Sequence, residues 1–136
     1  MLEYKNMKFY VTGRSNNYPR VEEAFQRIKE LGHEATFEWT TLPMAKPYNE
    51  NQERATEYAV LGIKGAVDAD VYIIFADKDG NGVFTELGAA LASNVLKGTP
   101  HVYAIGEDNK NSAMFHYHPA INWRNSLDEV LEEVCK

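Results

Sequence analysis

The sequence has little cysteine and no long apolar run, which argues against a disulfide-stabilised protein and against a membrane-spanning one. Its 136 residues include one cysteine, Cys135, so no disulfide can form within the chain and we expect a reducing, cytoplasmic location. No stretch approaches the ~18 consecutive apolar residues of a membrane-spanning helix. The first residues also lack the apolar segment of a secretory signal peptide. We therefore expect no membrane as a partner.

Positive charge is also scarce. Lysine and arginine total 14 against 20 acidic residues, which gives a net charge of -6, and no basic run is present. Such a chain repels a phosphate backbone, so we expect no nucleic-acid polymer as a partner. With 44% hydrophobic residues, the composition is that of an ordinary globular protein. A chain of this length buries roughly two thirds of its unfolded surface, so we expect one domain over residues 1–136 that needs no metal or disulfide.

The hydrophobic pattern alternates between the periods of strands and helices. It predicts strands at 7–12, 34–39, 71–75, 101–105 and 113–118, and helices at 21–31, 52–66, 83–96 and 127–134. Residues 71–75 are nearly all β-branched or aromatic, which is typical of a central strand buried on both faces. Alternating strands and helices with short connections predict a parallel sheet covered on both sides. We expect a flavodoxin-like three-layer α/β sandwich of about five strands.

In such a sheet the ligand crevice lies at the carboxyl ends of the strands. Here those ends lead into residues 13–18, 77–86 and the segment from 106 onward. Residues 40–51 carry two prolines and form a loop long enough to act as a lid.

Residues 77–86 fit two ligand-binding patterns incompletely. The first six positions match a calcium loop, but the twelfth is Gly88, which has no carboxylate to offer. Gly80 and Gly82 follow a strand as in a dinucleotide site, yet Thr85 replaces the third glycine and Glu86 would repel a pyrophosphate. A third interpretation places Glu86 in the first turn of a helix, ionised and facing the crevice as a nucleophile. The alternative is an acidic residue that only begins the helix.

Two histidines near the end of the chain invite a metal interpretation. If their segment is a strand, His116 and His118 face the same side, as a metal pair or as an edge or subunit contact would. No third ligand is apparent, so we expect no metal. The nearby Phe115, Tyr117 and Trp123 would pack against a neighbouring subunit or close over a bound base.

Three segments carry a resemblance to a known family. They are Tyr-Val-Thr-Gly-Arg-Ser at 10–15, Leu-Gly-Ile-Lys at 61–64 and Gly-Val-Phe-Thr-Glu-Leu-Gly-Ala-Ala-Leu at 82–91. In order and spacing the chain resembles the nucleoside 2-deoxyribosyltransferase family, including its smaller N-glycosidase-like relatives that act on deoxynucleoside monophosphates. The resemblance covers residues 8 to about 105, and the third segment is its most specific part.

The resemblance implies a flavodoxin-like homo-oligomer, a dimer or larger. It also implies cleavage or transfer at the N-glycosidic bond of 2′-deoxyribonucleosides or their 5′-monophosphates. Glu86 would be the nucleophile and would form a glycosyl-enzyme intermediate, with no cofactor. Tyr10 would orient Glu86 through its hydroxyl or line the pocket; the alternative is a tyrosine of the strand core.

The same resemblance assigns a substrate-binding surface. Gly13 would allow close approach of the backbone, and Arg14 and Ser15 would lie where a sugar hydroxyl or 5′-phosphate rests. The alternative is that Arg14 is a solvated loop residue that binds no ligand. Gly80 and Gly82 would complete this surface beside Glu86.

The chain departs from the family at two acidic positions. Ala59 stands where members commonly carry an aspartate, and Gly80 stands where transferases tend to have an acid, with Asp79 one residue away. Asp79 would then be the general acid that contacts the leaving base, unless it is only a turn residue. Two alternative functions stay open: a nucleotide-binding module of the same fold with impaired catalysis, and a nicotinamide-nucleotide glycohydrolase.

Overall fold

Five parallel strands form the centre of the fold, which a computed structural model describes for residues 6–135. The strands are β1 (Lys8–Thr12), β2 (Glu34–Ala35), β3 (Val71–Phe75), β4 (His101–Ile105) and β5 (Ile121–Arg124). The helices are α1 (Tyr18–Glu30), α2 (Gln52–Asp68), α3 (Asn81–Lys97) and α4 (Leu127–Val134). The strand order is β2-β1-β3-β4-β5, and every pairing is parallel.

The two faces of the sheet bury different side chains. Phe9 and Val11 of β1 pack in the cluster that contains α1 and α4, whereas Tyr10 of β1 packs in the cluster that contains α2 and α3. Every residue of β3 is buried, because helices cover this strand on both sides. The predicted flavodoxin-like three-layer sandwich is therefore confirmed.

The strand order reverses direction at β1. The chain runs from β1 to β2 on one side and then crosses through α2 to β3 on the other. A parallel sheet opens a crevice at such a switch point, beyond the carboxyl ends of the two strands. Here that position lies after Thr12 of β1 and Phe75 of β3.

Two strand predictions are corrected by the structure. Residues 113–118 do not form the fifth strand: Met114–Tyr117 is a 3-10 helix, and the fifth strand is β5, whose Ile121 pairs with Val102 of β4. The second strand is only Glu34–Ala35, because the chain then turns away from the sheet edge. The Thr36 hydroxyl donates a hydrogen bond to the carbonyl of Gly65 in α2 at this point, 2.9 Å away.

None of the helices formed by residues 6–135 is both long enough and apolar enough to cross a bilayer.

Candidate active site

A cleft of about 980 Å³ lies at the switch point between β1 and β3. One face of α2, the start of α3 and the segment from Leu42 to Tyr48 form its walls. The cleft is lined by all eight residues predicted for the site: Tyr10, Gly13, Arg14, Ser15, Asp79, Gly80, Gly82 and Glu86. The structure thus brings together residues that are up to 76 positions apart in sequence.

Glu86 is the carboxylate that these elements converge on. α3 begins at Asn81, so Glu86 lies in the second turn of the helix, and its predicted place in the first turn is wrong. The benefit of the helix dipole fades beyond the first turn, so it does not explain an ionised Glu86. The alternative, in which Glu86 is only an acidic residue that begins the helix, is also wrong, because Glu86 lies beyond the first turn.

Two hydroxyls of β1 hold the Glu86 carboxylate instead. The Tyr10 hydroxyl donates a hydrogen bond to Oε2. The Thr12 hydroxyl donates to Oε1 at 2.9 Å. Tyr10 and Thr12 are two residues apart on one strand, so their side chains point to the same face of the sheet, toward α3. Tyr10 is therefore both a buried strand residue and the partner of Glu86.

Burial and hydrogen bonding act in opposite directions on Glu86. Burial raises the pKa of this carboxyl, whereas the hydrogen bonds from Tyr10 and Thr12 lower it. Burial and the neighbouring Glu86 raise the pKa of Tyr10 well above its ordinary value. Tyr10 therefore stays protonated at neutral pH and remains a donor to Glu86.

Two glycines of α2 allow this close approach. A methyl group on Gly62 would lie 2.9 Å from Oε2 of Glu86, and one on Gly65 would lie 3.3 Å from the ring of Tyr10. Any side chain at Gly62 would therefore displace the carboxylate. Sequence reasoning missed the contributions of Gly62 and Thr12. The Tyr-x-Thr spacing and the two glycines one helical turn apart could have indicated them.

The other glycines of the site have different local surroundings. A methyl group on Gly13 would lie 3.1 Å from Val21, so this glycine lets α1 approach β1 as well as lining the cleft. Gly80 has φ +135°, a conformation that favours glycine, immediately before α3. Gly82 lies in the first turn of α3, and a methyl group on it would have no neighbour within 4 Å.

Basic side chains gather at the mouth of the cleft. The Arg14 guanidinium lies 3.8 Å from the carboxylate of Asp77 and 3.9 Å from that of Asp79, both longer than hydrogen bonds. The Lys46 ammonium donates to the Ser15 hydroxyl at 3.0 Å. These groups are accessible to a ligand in the cleft.

Residues 40–51, here called the strap, occupy the place predicted for a lid. Just before the strap, Trp39 donates its indole N–H to the carbonyl of Val11 at 2.9 Å. Within it, the carbonyl of Pro43 accepts a hydrogen bond from Tyr58 of α2, 2.8 Å away. Leu42 and Met44 also line the cleft. The strap therefore gives the cleft an apolar wall from the same chain.

The histidines do not form the predicted same-face pair, because their segment is not a strand. His116 is buried, with its ring 5.0 Å from the ring of Phe84 and 6.0 Å from that of Trp123. His118 accepts a hydrogen bond from the backbone N–H of Ala120. Across the described chain, residues 6–135, no group of three or more His, Cys, Asp or Glu side chains is arranged to hold a metal ion.

Comparison with known proteins adds no assignment. No protein-family model matches the chain, and the comparisons with curated proteins and with solved structures found no match. Function is therefore inferred from the residues of the cleft together with the resemblance of the three sequence segments.

Proposed function

We propose that this protein cleaves or transfers the N-glycosidic bond of 2′-deoxyribonucleosides or their 5′-monophosphates, with Glu86 as the nucleophile. The observation that carries the proposal is the Glu86 carboxylate, held by two hydroxyl donors at the switch point of the sheet. The resemblance of the three sequence segments to the nucleoside 2-deoxyribosyltransferase family supplies the reaction class. Composition and the same resemblance support a cytoplasmic homodimer or larger homo-oligomer.

The chemistry needs a carboxylate in such a position. Breaking the bond between C1′ and the base builds oxocarbenium character on the sugar, which a nearby carboxylate stabilises. Glu86 attacks C1′, the electron pair of the broken bond stays on the base nitrogen, and the base takes up a proton. The glycosyl ester then reacts with a second base, which gives transfer, or with water, which gives hydrolysis.

Asp79 is the proposed source of that proton. It lines the cleft on the loop that precedes α3, and its carboxylate is well exposed.

The lining of the cleft suits the two ends of a nucleotide. Aromatic side chains at Phe37, Trp39 and Tyr58 offer surfaces against which a base packs. Arg14 and Lys46 at the mouth offer positive charge and donors for a 5′-phosphate. We therefore propose 5′-monophosphates as the better substrates.

A nucleotide-binding module without turnover is the second candidate. Ala59 lines the cleft on α2, so a methyl group stands where related enzymes commonly place an aspartate that helps arrange the base. If that acid is indispensable, the cleft binds a nucleotide and leaves it intact.

One assay separates these functions. The wild type and Glu86→Gln are incubated with 2′-deoxynucleosides, their 5′-monophosphates and nicotinamide mononucleotide, with and without a free acceptor base. Chromatography then measures the base released or exchanged. Glu57→Gln, which removes an exposed carboxylate of α2 outside the cleft, is the matched control.

We expect Glu86→Gln to lose at least about a hundredfold in rate, whereas Glu57→Gln keeps the wild-type rate. Equal rates for Glu86→Gln and the wild type would contradict the nucleophile assignment. Saturable nucleotide binding by the wild type without product would support the binding module instead. Release of nicotinamide alone would redirect the proposal to nicotinamide nucleotides.

A further inference from the structure

We propose that Thr12 is a positioning residue for Glu86, and that Oε1, the oxygen that Thr12 holds, is the one that attacks C1′. The second half of this inference rests on the proposed function. The first half concerns the free protein and can be tested without a substrate.

The two oxygens of Glu86 have different surroundings. Oε2 accepts the hydrogen bond from the buried Tyr10 hydroxyl, and it faces α2 so closely that a methyl group on Gly62 would lie 2.9 Å away. Oε1 accepts its hydrogen bond from Thr12. Each carboxylate oxygen has two lone-pair positions, so Oε1 keeps one for a new bond. Because Gly62 of α2 crowds Oε2, Oε1 is the oxygen that the proposal assigns to the sugar.

Thr12 is well placed to fix that oxygen. It is 2% exposed and pairs with Ile74 in the middle of the sheet, so its backbone is held by β1 and β3 together. A threonine has few side-chain rotamers, so its hydroxyl stays aimed at Oε1 at little entropic cost. The hydroxyl has one proton and donates it to Glu86.

The hydrogen bond has two consequences for the reaction. It favours the ionised carboxylate, which burial otherwise disfavours, and it holds Oε1 in one orientation. When the bond from Oε1 to C1′ forms, that oxygen loses negative charge and the Thr12 hydrogen bond weakens. When the glycosyl ester breaks, the charge returns to Oε1 and the hydrogen bond strengthens, which favours release of the sugar to water or to a second base.

Two substitutions separate the hydroxyl from the shape of the side chain. Thr12→Val removes the hydroxyl, keeps the branched shape and suits a strand, so the fold is retained. Thr12→Ser keeps the hydroxyl. Thr56→Val is the matched control, because Thr56 is an exposed residue of α2 outside the cleft, and its hydroxyl donates to the carbonyl of Gln52 in the same helix. Thermal unfolding of each variant verifies that it is folded.

The first measurement is a ¹³C NMR titration of the Glu86 carboxyl in the free protein, with the signal assigned by its loss in Glu86→Gln. We expect Thr12→Val to raise the pKa of Glu86, Thr12→Ser to restore it, and Thr56→Val to leave it unchanged. The same titration of Glu86 in the wild type and Thr12→Val would overturn the role of Thr12, whatever the substrate is.

The second measurement is the pH profile of base release. We expect Thr12→Val to lower kcat by about tenfold to a hundredfold and to move the acid limb of kcat/KM to higher pH, with Thr12→Ser close to the wild type. A wild-type kcat on the pH plateau of Thr12→Val, beside a shifted titration, would overturn Oε1 as the reacting oxygen. An unchanged acid limb beside a shifted titration would contradict Glu86 as the group whose ionisation limits base release. Absence of turnover by the wild type would overturn the proposed function and this oxygen assignment together, while the titration would still decide the role of Thr12.

Discussion

A half-buried carboxylate beside two hydroxyls is the residue-scale feature on which the account depends. Glu86 loses solvation by its burial, and the hydrogen bonds from Tyr10 and Thr12 offset part of that loss. A nucleophilic carboxylate must be ionised to attack carbon. Burial and the donors on β1 therefore set together the pH range over which Glu86 is ionised.

Replacing the tyrosine tests this balance. Tyr10→Phe removes a hydrogen bond that lowers the pKa of Glu86, so this pKa should rise further. Glu86 would then be protonated up to a higher pH, so base release should fall more at pH 6 than at pH 8. Tyr103→Phe is the matched control, because Tyr103 donates its hydroxyl to Glu133 on the opposite face of the sheet. Equal acid-limb shifts in both variants would contradict the role of Tyr10.

Replacing Arg14 tests whether the cleft prefers monophosphates to nucleosides. If its guanidinium binds a 5′-phosphate, Arg14→Ala should cost roughly 1.5 to 3 kcal/mol of monophosphate binding and leave nucleoside binding unchanged. Calorimetry with both ligand types measures the difference. Arg27→Ala, which breaks an exposed ion pair with Asp128 outside the cleft, is the control. Equal losses for both ligand types would give Arg14 a structural role.

At the scale of the elements, the contact between α2 and α3 shapes the site. Gly62 on α2 leaves the space that the Glu86 carboxylate of α3 occupies. Gly88 on the outer face of α3 has no neighbour within 4 Å of an added methyl group. The two glycines therefore form a matched pair: one is needed for the site, and the other is an exposed glycine in a helix.

The two alanine variants should affect different properties of the protein: Gly62→Ala its activity, and Gly88→Ala its stability. Gly62→Ala should displace Oε2 and lower base release by about tenfold or more. Gly88→Ala should leave the rate unchanged and raise the free energy of unfolding by about 0.5 to 1 kcal/mol, because alanine favours a helix over glycine. Base-release rates and urea unfolding measure both effects. A wild-type rate in Gly62→Ala would show that the carboxylate tolerates the methyl group.

The elements also show what the sequence could and could not predict. The strand at Val71–Phe75 was predictable because strands buried on both faces are continuously apolar. The four residues of Ile121–Arg124 were not, since a short edge strand with only one buried residue is defined by its pairing with β4. The hydrophobic pattern predicts that α3 begins at residue 83, two residues late, because Gly80, Asn81 and Gly82 have low helix propensity and indicate a loop.

The site itself was predictable in part for a physical reason. Residues that follow parallel strands meet at one edge of the sheet, so Arg14 and Asp79 were expected near Glu86. The Tyr-x-Thr spacing indicates that the Thr12 hydroxyl lies on the same face of β1 as that of Tyr10. It does not identify the partner of that hydroxyl, because Glu86 is 74 residues away.

At the scale of the whole molecule, the question is what closes the cleft. The strap already covers one side from the same chain, and Lys46 ties it to Ser15 across the mouth. Phe115 and Tyr117 are both more than half exposed on the 3-10 helix Met114–Tyr117, where a neighbouring subunit would cover them. Trp123, by contrast, packs against His116 of its own chain.

We predict a dimer or larger assembly, because a second chain would cover these aromatic groups and help to exclude water from a hydrolysable intermediate. Light scattering coupled to size exclusion, at micromolar concentration, should give at least twice the chain mass of 15.4 kDa. A fully active species with the mass of one chain would contradict this prediction and leave closure of the cleft to the strap.

The central claim is that Glu86 forms a bond to C1′, and trapping that bond is its most direct test. A 2′-fluorinated deoxynucleoside destabilises the oxocarbenium-like transition state and slows breakdown of the glycosyl-enzyme, so the adduct accumulates. Peptide mass spectrometry after incubation should find the fluorinated sugar on the peptide that contains Glu86, and none in Glu86→Gln. Release of base by the wild type with no sugar on Glu86, or with the sugar on another residue, would contradict the claim.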